Sequence, residues 1–494
     1  MGFGLLRDVD DFSNAQHYTT EHRLSTNLLE PGPFYQAAKF DAKKKKLNVD
    51  EYLSQVQNRL STFFASDTVF GRDELKERVA DAMESPSGGV TFLLGRRNLG
   101  KTKLLMEKVK EMNTAASAAS AATSPSSVAS TSDVSSTATA TSSFVVYVNG
   151  RKTPSLAQGI KMALQNFDDK NMFENVPWEA MRLGLQGSNA EEGGSSADKR
   201  NGSSSSIGSS GGCSSFAQLF SSIQGKDEDA KLIELIVLLA AAKKKRPCLV
   251  VDEADICLPC GGSDSGNKTT LAMIYGLTQD QVMNIVLSSS DFDYPRNISK
   301  CSGILLSLTR TLYMEEFCPK SMWELLVEDT TAEGEPTVGM GNKLARFCIS
   351  AVGGNPRTIQ HALNVLRVRK EKFSAFGDLI NYDIEGAANL EQYLDEKKRK
   401  TDGKSLMQIL SCLGEQGYWE VEPGKSAVID RLVADGVANS MLTSDLVECP
   451  LTEESFRVLV PSSQIIRHLI LEQVNERNTG LMSNLRDIFS GKGK

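Results

Sequence analysis

The chain runs to 494 residues, enough for two or three domains with a sizeable core. Its formal net charge of −7 gives no global pull toward nucleic acid, and its nine cysteines follow no repeating framework, which suits a reducing compartment. No apolar run reaches the roughly eighteen residues of a membrane span; the best, Leu232–Ala242, is short and carries Glu234, so no membrane partner is expected.

Residues 1–46 are polar and weakly patterned, and predict a partly ordered extension. Met1–Asp8 lacks the basic start and long apolar stretch of a signal peptide, and Leu6 stands where a myristoylation site needs Ser or Thr. Lys43–Lys46, Lys243–Arg246 and Lys397–Lys400 each read either as a nuclear address or as a solvated face, so the expected location is cytoplasmic or nuclear. Leu47–Phe64 has helical spacing, with Tyr52, Leu53, Val56 and Leu60 on one side. Val69-Phe70-Gly71-Arg72-Asp73-Glu74-Leu75 then leads into a charged amphipathic helix through Met83.

Gly89–Leu94 reads as a buried strand and Lys101–Met112 as a helix, with Leu104, Leu105, Val109 and Met112 on its apolar face. Between them stands Gly95-Arg96-Arg97-Asn98-Leu99-Gly100-Lys101-Thr102, the full G-x-x-x-x-G-K-[ST] phosphate-binding pattern, with Lys103 just beyond. The glycines let backbone N–H groups turn inward around phosphate oxygens. Lys101 adds a charge toward the β/γ-phosphates, and the Thr102 hydroxyl is a magnesium ligand. A Gly-rich turn is the bland alternative. The strand–loop–helix context favours a nucleoside triphosphate with Mg2+.

Two low-complexity segments follow, Ala115–Ser143 and Gly187–Ser215, each too poor in apolar side chains to offset ordering entropy and expected as disordered loops. Strands are expected at Phe144–Asn149, Cys248–Val251, Asn284–Leu287 and Ile304–Leu308. Helices are expected at Ser155–Asn166 and at Phe216–Ala242, the latter broken near Gly225. Short buried strands alternating with helices imply a parallel sheet covered on both faces. Lys101 and Asp252 are 151 positions apart; without the two inserts the spacing suits three strands and two crossovers. Helices are expected at Asn342–Val352 and Thr358–Val368, joined by Gly353-Gly354-Asn355-Pro356-Arg357. Further on, helices at Ser405–Gln416 and Ser426–Val437, a strand at Phe456–Val460 and a helix at Ser463–Gln473 suggest a winged-helix-like module.

Hydrolysis needs more than a phosphate loop. Cys248-Leu249-Val250-Val251-Asp252-Glu253 is an apolar strand ending in two carboxylates: Asp252 to hold magnesium near Thr102, Glu253 to activate water. A solvated acidic turn is the alternative for that pair. Asn284–Asp291 ends in hydroxyls, of which Ser289 is the preferred contact to the γ-phosphate or attacking water; a simple turn explains it equally well. Arg357 either reaches the γ-phosphate or solvates a helix start. Arg296 and Arg310 are weaker candidates for an arginine donated to a neighbouring subunit.

The ordered set Val69–Leu75, Gly95–Thr102, Val250–Asp255, Leu287–Asp291 and Gly353–Arg357 resembles the AAA+/STAND group of P-loop NTPases, closest to the archaeal-type ATPase family, over roughly residues 65–370. The resemblance implies an α/β fold: a P-loop parallel sheet sandwiched by helices, then a helical lid and a winged helix. That gives an extension at 1–64, an ATPase core at 65–310, a lid at 311–395 and a C-terminal module at 396–494. It places Val69 and Phe70 beside the adenine and makes the Asp252–Glu253 pair part of an active ATPase site. It also matches Gly353–Pro356 to the Gly-x-Pro lid element and puts Arg357 where a lid arginine senses the γ-phosphate. ATP would bind between phosphate loop and lid. The two inserts and the lack of a clear finger arginine depart from the pattern and leave the oligomeric state open.

Cys257-Leu258-Pro259-Cys260 has neither a second pair nor a nearby histidine, and no metal function is assigned to it. Trp178, Trp323 and Trp419 read as core or interface residues. The leading expectation is an ATP-hydrolysing protein that couples nucleotide state to its lid and C-terminal module, acting on a protein client. A nucleotide-gated switch with little turnover is one alternative. ATP-dependent nucleic-acid handling through the C-terminal module is another, for which the final helix offers only Arg467 and His468.

Overall fold

A computed structural model describes residues 33–121, 143–187, 216–372, 403–442 and 457–471, leaving aside short stretches within these ranges. The described chain divides into two compact units. An α/β unit comprises Lys76–Leu94 and Lys101–Leu312. The other unit draws on residues up to Leu75, the loop Gly95–Gly100 and residues from Tyr313 onward.

The α/β unit is built on a five-stranded sheet: β1 (Gly89–Leu94), β2 (Ser143–Asn149), β3 (Arg246–Asp252), β4 (Asn284–Ser289) and β5 (Thr309–Tyr313), in the order β2-β3-β4-β1-β5. β1 is parallel to β4, β4 to β3, and β3 to β2. Residues of β1, β3 and β4 are buried almost without interruption, as expected of strands covered on both faces. Parallel neighbours cannot be joined by tight turns, so helices make the returns, among them Lys101–Ala121, Leu156–Asp168, Glu228–Ala242 and Ser265–Gln279. The register sets Asn149 opposite Asp252 and Val251 opposite Leu287. The polar residues that end β2, β3 and β4 therefore share one edge of the sheet. At the other edge the Asn284 amide donates to Met83 O at 2.8 Å and to Ser85 O at 3.1 Å, fastening the end of the Asp73–Glu84 helix to β4.

Some boundaries differ from the sequence expectation. Ala115–Ala121 continue the helix that begins at Lys101. Alanine is the strongest helix former, so this stretch propagates a helix already nucleated. The rest of that segment up to residue 142, and residues 188–215 of the second, lie outside the described residues. Ile304–Leu308 lies outside them as well; the described fifth strand is Thr309–Tyr313. The helix from Ser426 ends at Ala434.

In the second unit, helices Pro33–Lys44, Val49–Ala65, Pro319–Val327, Asn342–Val352 and Pro356–Arg369 share one apolar core, in which Tyr52, Leu53, Met322, Leu344 and Leu363 are fully or almost fully buried. Asn342–Val352 has Gly341 at its start, with no side chain to satisfy the first N–H groups. The N-terminal helices supply the acceptors instead: Leu344 N–H donates to Asp41 Oδ2 at 2.8 Å, and Gly341 N–H donates to the Tyr52 hydroxyl oxygen at 2.6 Å. The next helix starts by local means. Gly353 ends the preceding one at φ 87°, Asn355 accepts from Arg357 and Thr358 N–H, and Pro356 occupies the first turn.

Toward the C-terminus a separate core gathers Leu410, Leu413, Leu432, Leu459 and Ile470. Helices Gly403–Glu415 and Ser426–Ala434 surround it with an antiparallel sheet of β6 (Trp419–Glu420), β7 (Ala438–Leu442) and β8 (Arg457–Pro461), in the order β6-β8-β7. Arg467 donates to Gly414 O at 2.8 Å and to Glu415 O at 2.9 Å, so its guanidinium caps a helix end. No helix among the described residues is long and apolar enough to cross a membrane.

The Asp41 contact gives a stability prediction. Asp41→Ala removes the carboxylate that accepts from Leu344 N–H at the start of Asn342–Val352 and should cost about 1–2 kcal/mol in urea unfolding. Asp41→Asn keeps an acceptor and should cost less. Burial raises the Asp41 carboxyl above its ordinary value, so the folded protein holds that proton more tightly than the unfolded chain. The associated stabilisation is present at acid pH and is lost as pH rises through the raised value; Asp41→Asn should abolish that dependence.

Candidate functional site

Past β1, the loop Gly95–Gly100 packs with residues of its own unit. A Cβ at Gly95 would stand 2.6 Å from Met314 O, and Arg96 Nη1 lies 4.0 Å from Glu316 Oε1. Asn98 and Gly100 take φ values of 68° and 102°. Such left-handed residues turn successive N–H groups toward one side, the arrangement that receives an anion. Leu99 is buried, while Arg97 and Asn98 are exposed.

In the α/β unit, Lys101 and Thr102 open the helix that follows, with Lys103 half-buried behind them. Lys101 is buried, and that burial pushes its ammonium down to about 8, against the opposing pull of Glu253 and Asp252. Asp252, the last residue of β3, is wholly buried. Thr102 Oγ1 donates to its Oδ2 at 2.6 Å, Ser288 Oγ to its Oδ1 at 2.9 Å, and the Tyr147 hydroxyl to its Oδ2 at 3.3 Å. Burial and the Asp252 charge push the Tyr147 phenol up, so it remains a donor. A buried carboxylate with a hydroxyl in contact is an all-oxygen set, which suits a hard cation such as Mg2+.

Glu253 turns the chain sharply, at φ 52° and ψ 53°, a left-handed conformation that costs about 1–3 kcal/mol for a non-glycine residue. Its side chain is buried and pairs with Arg151 Nη2 at 2.5 Å. Gly150, just before Arg151, comes close: its N–H donates to Asp252 O at 2.8 Å, and a Cβ there would meet Glu253 O at 2.6 Å.

Ser289 and Ser288 part company because neighbours along a strand face opposite ways. The Ser289 hydroxyl donates to Asp255 Oδ1 at 2.7 Å and accepts from Asp291 N–H at 2.9 Å, while Ser288 reaches Asp252. Ser288, Tyr147, Gly150 and Arg151 carry no motif. Their signal lies in the pairing of β2 with β3, which sets Asn149 against Asp252, and in strand alternation.

The remaining candidates lie in the helical unit or farther along the sheet. Val69 is buried, and Phe70 stands in a row of rings with Phe63 at 6.1 Å and Phe317 at 6.4 Å, capped by the Arg72 guanidinium 4.0 Å from Phe317. Phe317 N–H donates to Gly354 O at 3.0 Å, and Gly354 N–H donates to Glu316 Oε2 at 3.1 Å. Arg357 lies over the Phe64 ring at 3.8 Å and donates to Gln360 Oε1 at 3.2 Å. Arg296 sits 3.8 Å from Asp293, and Arg310 is exposed. Cys257 is buried and donates to Thr153 O at 3.3 Å.

The strand order and the phosphate loop after β1 give the chain the α/β fold of P-loop NTPases. No family model matches the chain, and no curated protein matches it in sequence. Among solved structures it is similar to a Walker-type ATPase of Pyrococcus abyssi, at 13% identity and a TM-score of 0.43, over 81% of this chain and 96% of that one. It is similar as well to the Aeropyrum pernix ORC1 protein, solved in complex with DNA, at 13% identity and a TM-score of 0.33, over 85% of this chain and 97% of that one. A third is domain III of the Thermotoga maritima replication initiation protein DnaA, at 14% identity and a TM-score of 0.29, over 63% of this chain and 88% of that one.

Gly150→Ala tests the closeness of the β2 and β3 ends. The added methyl meets backbone, which cannot yield as a flexible side chain would. Thermal unfolding should show a loss of about 1–3 kcal/mol. An unchanged midpoint would mean that the two strand ends stand farther apart.

Proposed function

We propose that the protein binds ATP with Mg2+ and hydrolyses it. The observation that carries this is the 2.6 Å hydrogen bond between Thr102 and the buried Asp252. It joins the helix that opens at the phosphate loop to the end of β3, where the chemistry of a triphosphate site needs a hydroxyl and a carboxylate together. Gly95, Arg96, Arg97, Asn98, Leu99 and Gly100 supply the backbone cradle, and Lys101 sets its charge against the β/γ-phosphates. Thr102 and Asp252 would hold Mg2+, which when bound supplies charge neutralisation at the phosphates. Ser288 and Tyr147 fix the Asp252 carboxylate in its orientation. Glu253 accepts the proton of the attacking water. Val69 and Phe70 take the base, Arg357 responds to the γ-phosphate after leaving the Phe64 ring, and Ser289 holds Asp255 in place. Nucleotide state is passed to the helical unit and the C-terminal module, and a protein client is the expected partner.

A second reading, a switch with little turnover, is favoured by the Arg151–Glu253 pair, because a carboxylate engaged by a guanidinium at 2.5 Å is not free to meet an attacking water. The test is steady-state ATP hydrolysis by the full chain. Glu253→Gln should lower turnover about a hundredfold or more while ATP binding persists, and Lys101→Ala should weaken binding itself. Arg151→Ala separates the two readings. A rise in turnover means that Arg151 restrains the base, as the switch requires; a fall means that it positions the base in a working ATPase. No turnover in any variant, despite tight ATP binding, would overturn the hydrolytic reading.

A further inference from the structure

The helical unit has a charge of its own. Residues 33–66 and 338–372 contain thirteen Lys and Arg against four Asp and Glu, whereas the whole chain has 55 against 62. The excess is not scattered evenly. Helix Pro33–Lys44 carries Lys39, Lys43 and Lys44, and Phe40, Lys43 and Lys44 follow the i, i+3, i+4 spacing of one helix face. Lys343, from the neighbouring helix Asn342–Val352, lies over the Phe40 ring at 3.6 Å. Lys44 and Lys343 both stand beside the Asp41 carboxylate. Lys39 and Lys370 are matched by acidic partners, Glu371 at 2.5 Å and Asp50 at 3.1 Å, so the unmatched charge near Phe40 is that of Lys43, Lys44 and Lys343. The result is a short basic ridge of Lys43, Lys44 and Lys343 on the exposed side of Pro33–Lys44. At its centre is an aromatic ring left 50% exposed.

We propose that this ridge binds single-stranded nucleic acid, with Lys43, Lys44 and Lys343 against backbone phosphates and Phe40 stacked on a base. Two features single out that ligand. Cations from two separate chain segments, Lys43 and Lys44 from one helix and Lys343 from another, flank one ring, the combination of charge and stacking platform that a flexible strand engages. An anionic membrane would ask for a broader apolar face, and among the exposed large apolar side chains only Phe40 belongs to this helix. The ridge owes nothing to the nucleotide site, and the inference stands or falls apart from ATP hydrolysis.

The experiment is fluorescence anisotropy of the full chain with labelled 20-nucleotide oligo(dT) and oligo(U), a 20-base-pair duplex, and vesicles of phosphatidylserine in phosphatidylcholine, across a salt series. The wild type should bind the single strands more tightly than the duplex, with an affinity that falls steeply with salt. Lys43→Gln/Lys44→Gln/Lys343→Gln should weaken single-strand binding at least tenfold and flatten the log–log salt slope by about 2, since each phosphate contact contributes about 0.7. Phe40→Ala should weaken binding about fivefold or more with the slope unchanged. Thermal midpoints and near-ultraviolet circular dichroism matching the wild type establish that both variants are folded. No binding of oligonucleotides at low salt would overturn the proposal. So would vesicle binding in their place, tighter binding of the duplex that is indifferent to Phe40, or single-strand binding that the triple variant leaves untouched.

Discussion

The structure depends on a carboxylate that has been taken out of water. Asp252 is completely buried at the end of β3. An unpaired charge there would cost several kcal/mol. It is tolerated because Thr102, Ser288 and Tyr147 each donate to it, and because the Lys101 ammonium lies nearby. The donors come from three different elements: the first turn of a helix, the middle of β2 and the end of β4. To hold the carboxylate, the sheet must keep β3 between β2 and β4, and the helix must begin where Lys101 stands. The strand order and the chemistry are thus one constraint. The same edge carries the strained Glu253 turn, held on its side chain by Arg151 and on its backbone by the close approach of Gly150.

The helical unit follows a different logic. Its core is assembled from residues more than 250 positions apart, with the first two helices closing over Asn342–Val352 and Pro356–Arg369. Its polar contacts are made the same way: Asp41 and Tyr52 complete a helix start that glycine leaves bare, and Phe64 carries the Arg357 guanidinium. The residue whose proposed task is to respond to phosphate is therefore seated on an N-terminal helix.

Local chemistry explains what the sequence makes legible. The glycine-bounded loop after β1, the β1 and β3 runs and the Asp252–Glu253 pair are short-range patterns, and each stands where the sequence reading places it. Pairing across the chain is another matter. Ser288 and Ser289 are alike as letters, and only the register of β4 beside β3 decides which one meets Asp252. Arg151 looks like any charge after a strand until β2 is laid against β3. Residues 33–44 look like a weakly patterned start, because their apolar side faces a core drawn from residues some three hundred positions later. Ala115–Ala121 mislead in the opposite direction: low complexity suggests a loop, but alanine after an established helix extends it.

The central claim is that Thr102 and Asp252 form a magnesium-dependent triphosphate site, and the most direct measurement is ATP affinity by calorimetry with and without Mg2+, in the wild type and in Asp252→Asn. The account predicts that Mg2+ tightens binding in the wild type and that Asp252→Asn, which keeps the side chain's size but removes its charge and turns one acceptor oxygen into an NH2 donor, loses that increment while keeping the metal-free affinity. Equal affinities with and without Mg2+ in the wild type, or an increment that survives in Asp252→Asn, would contradict it.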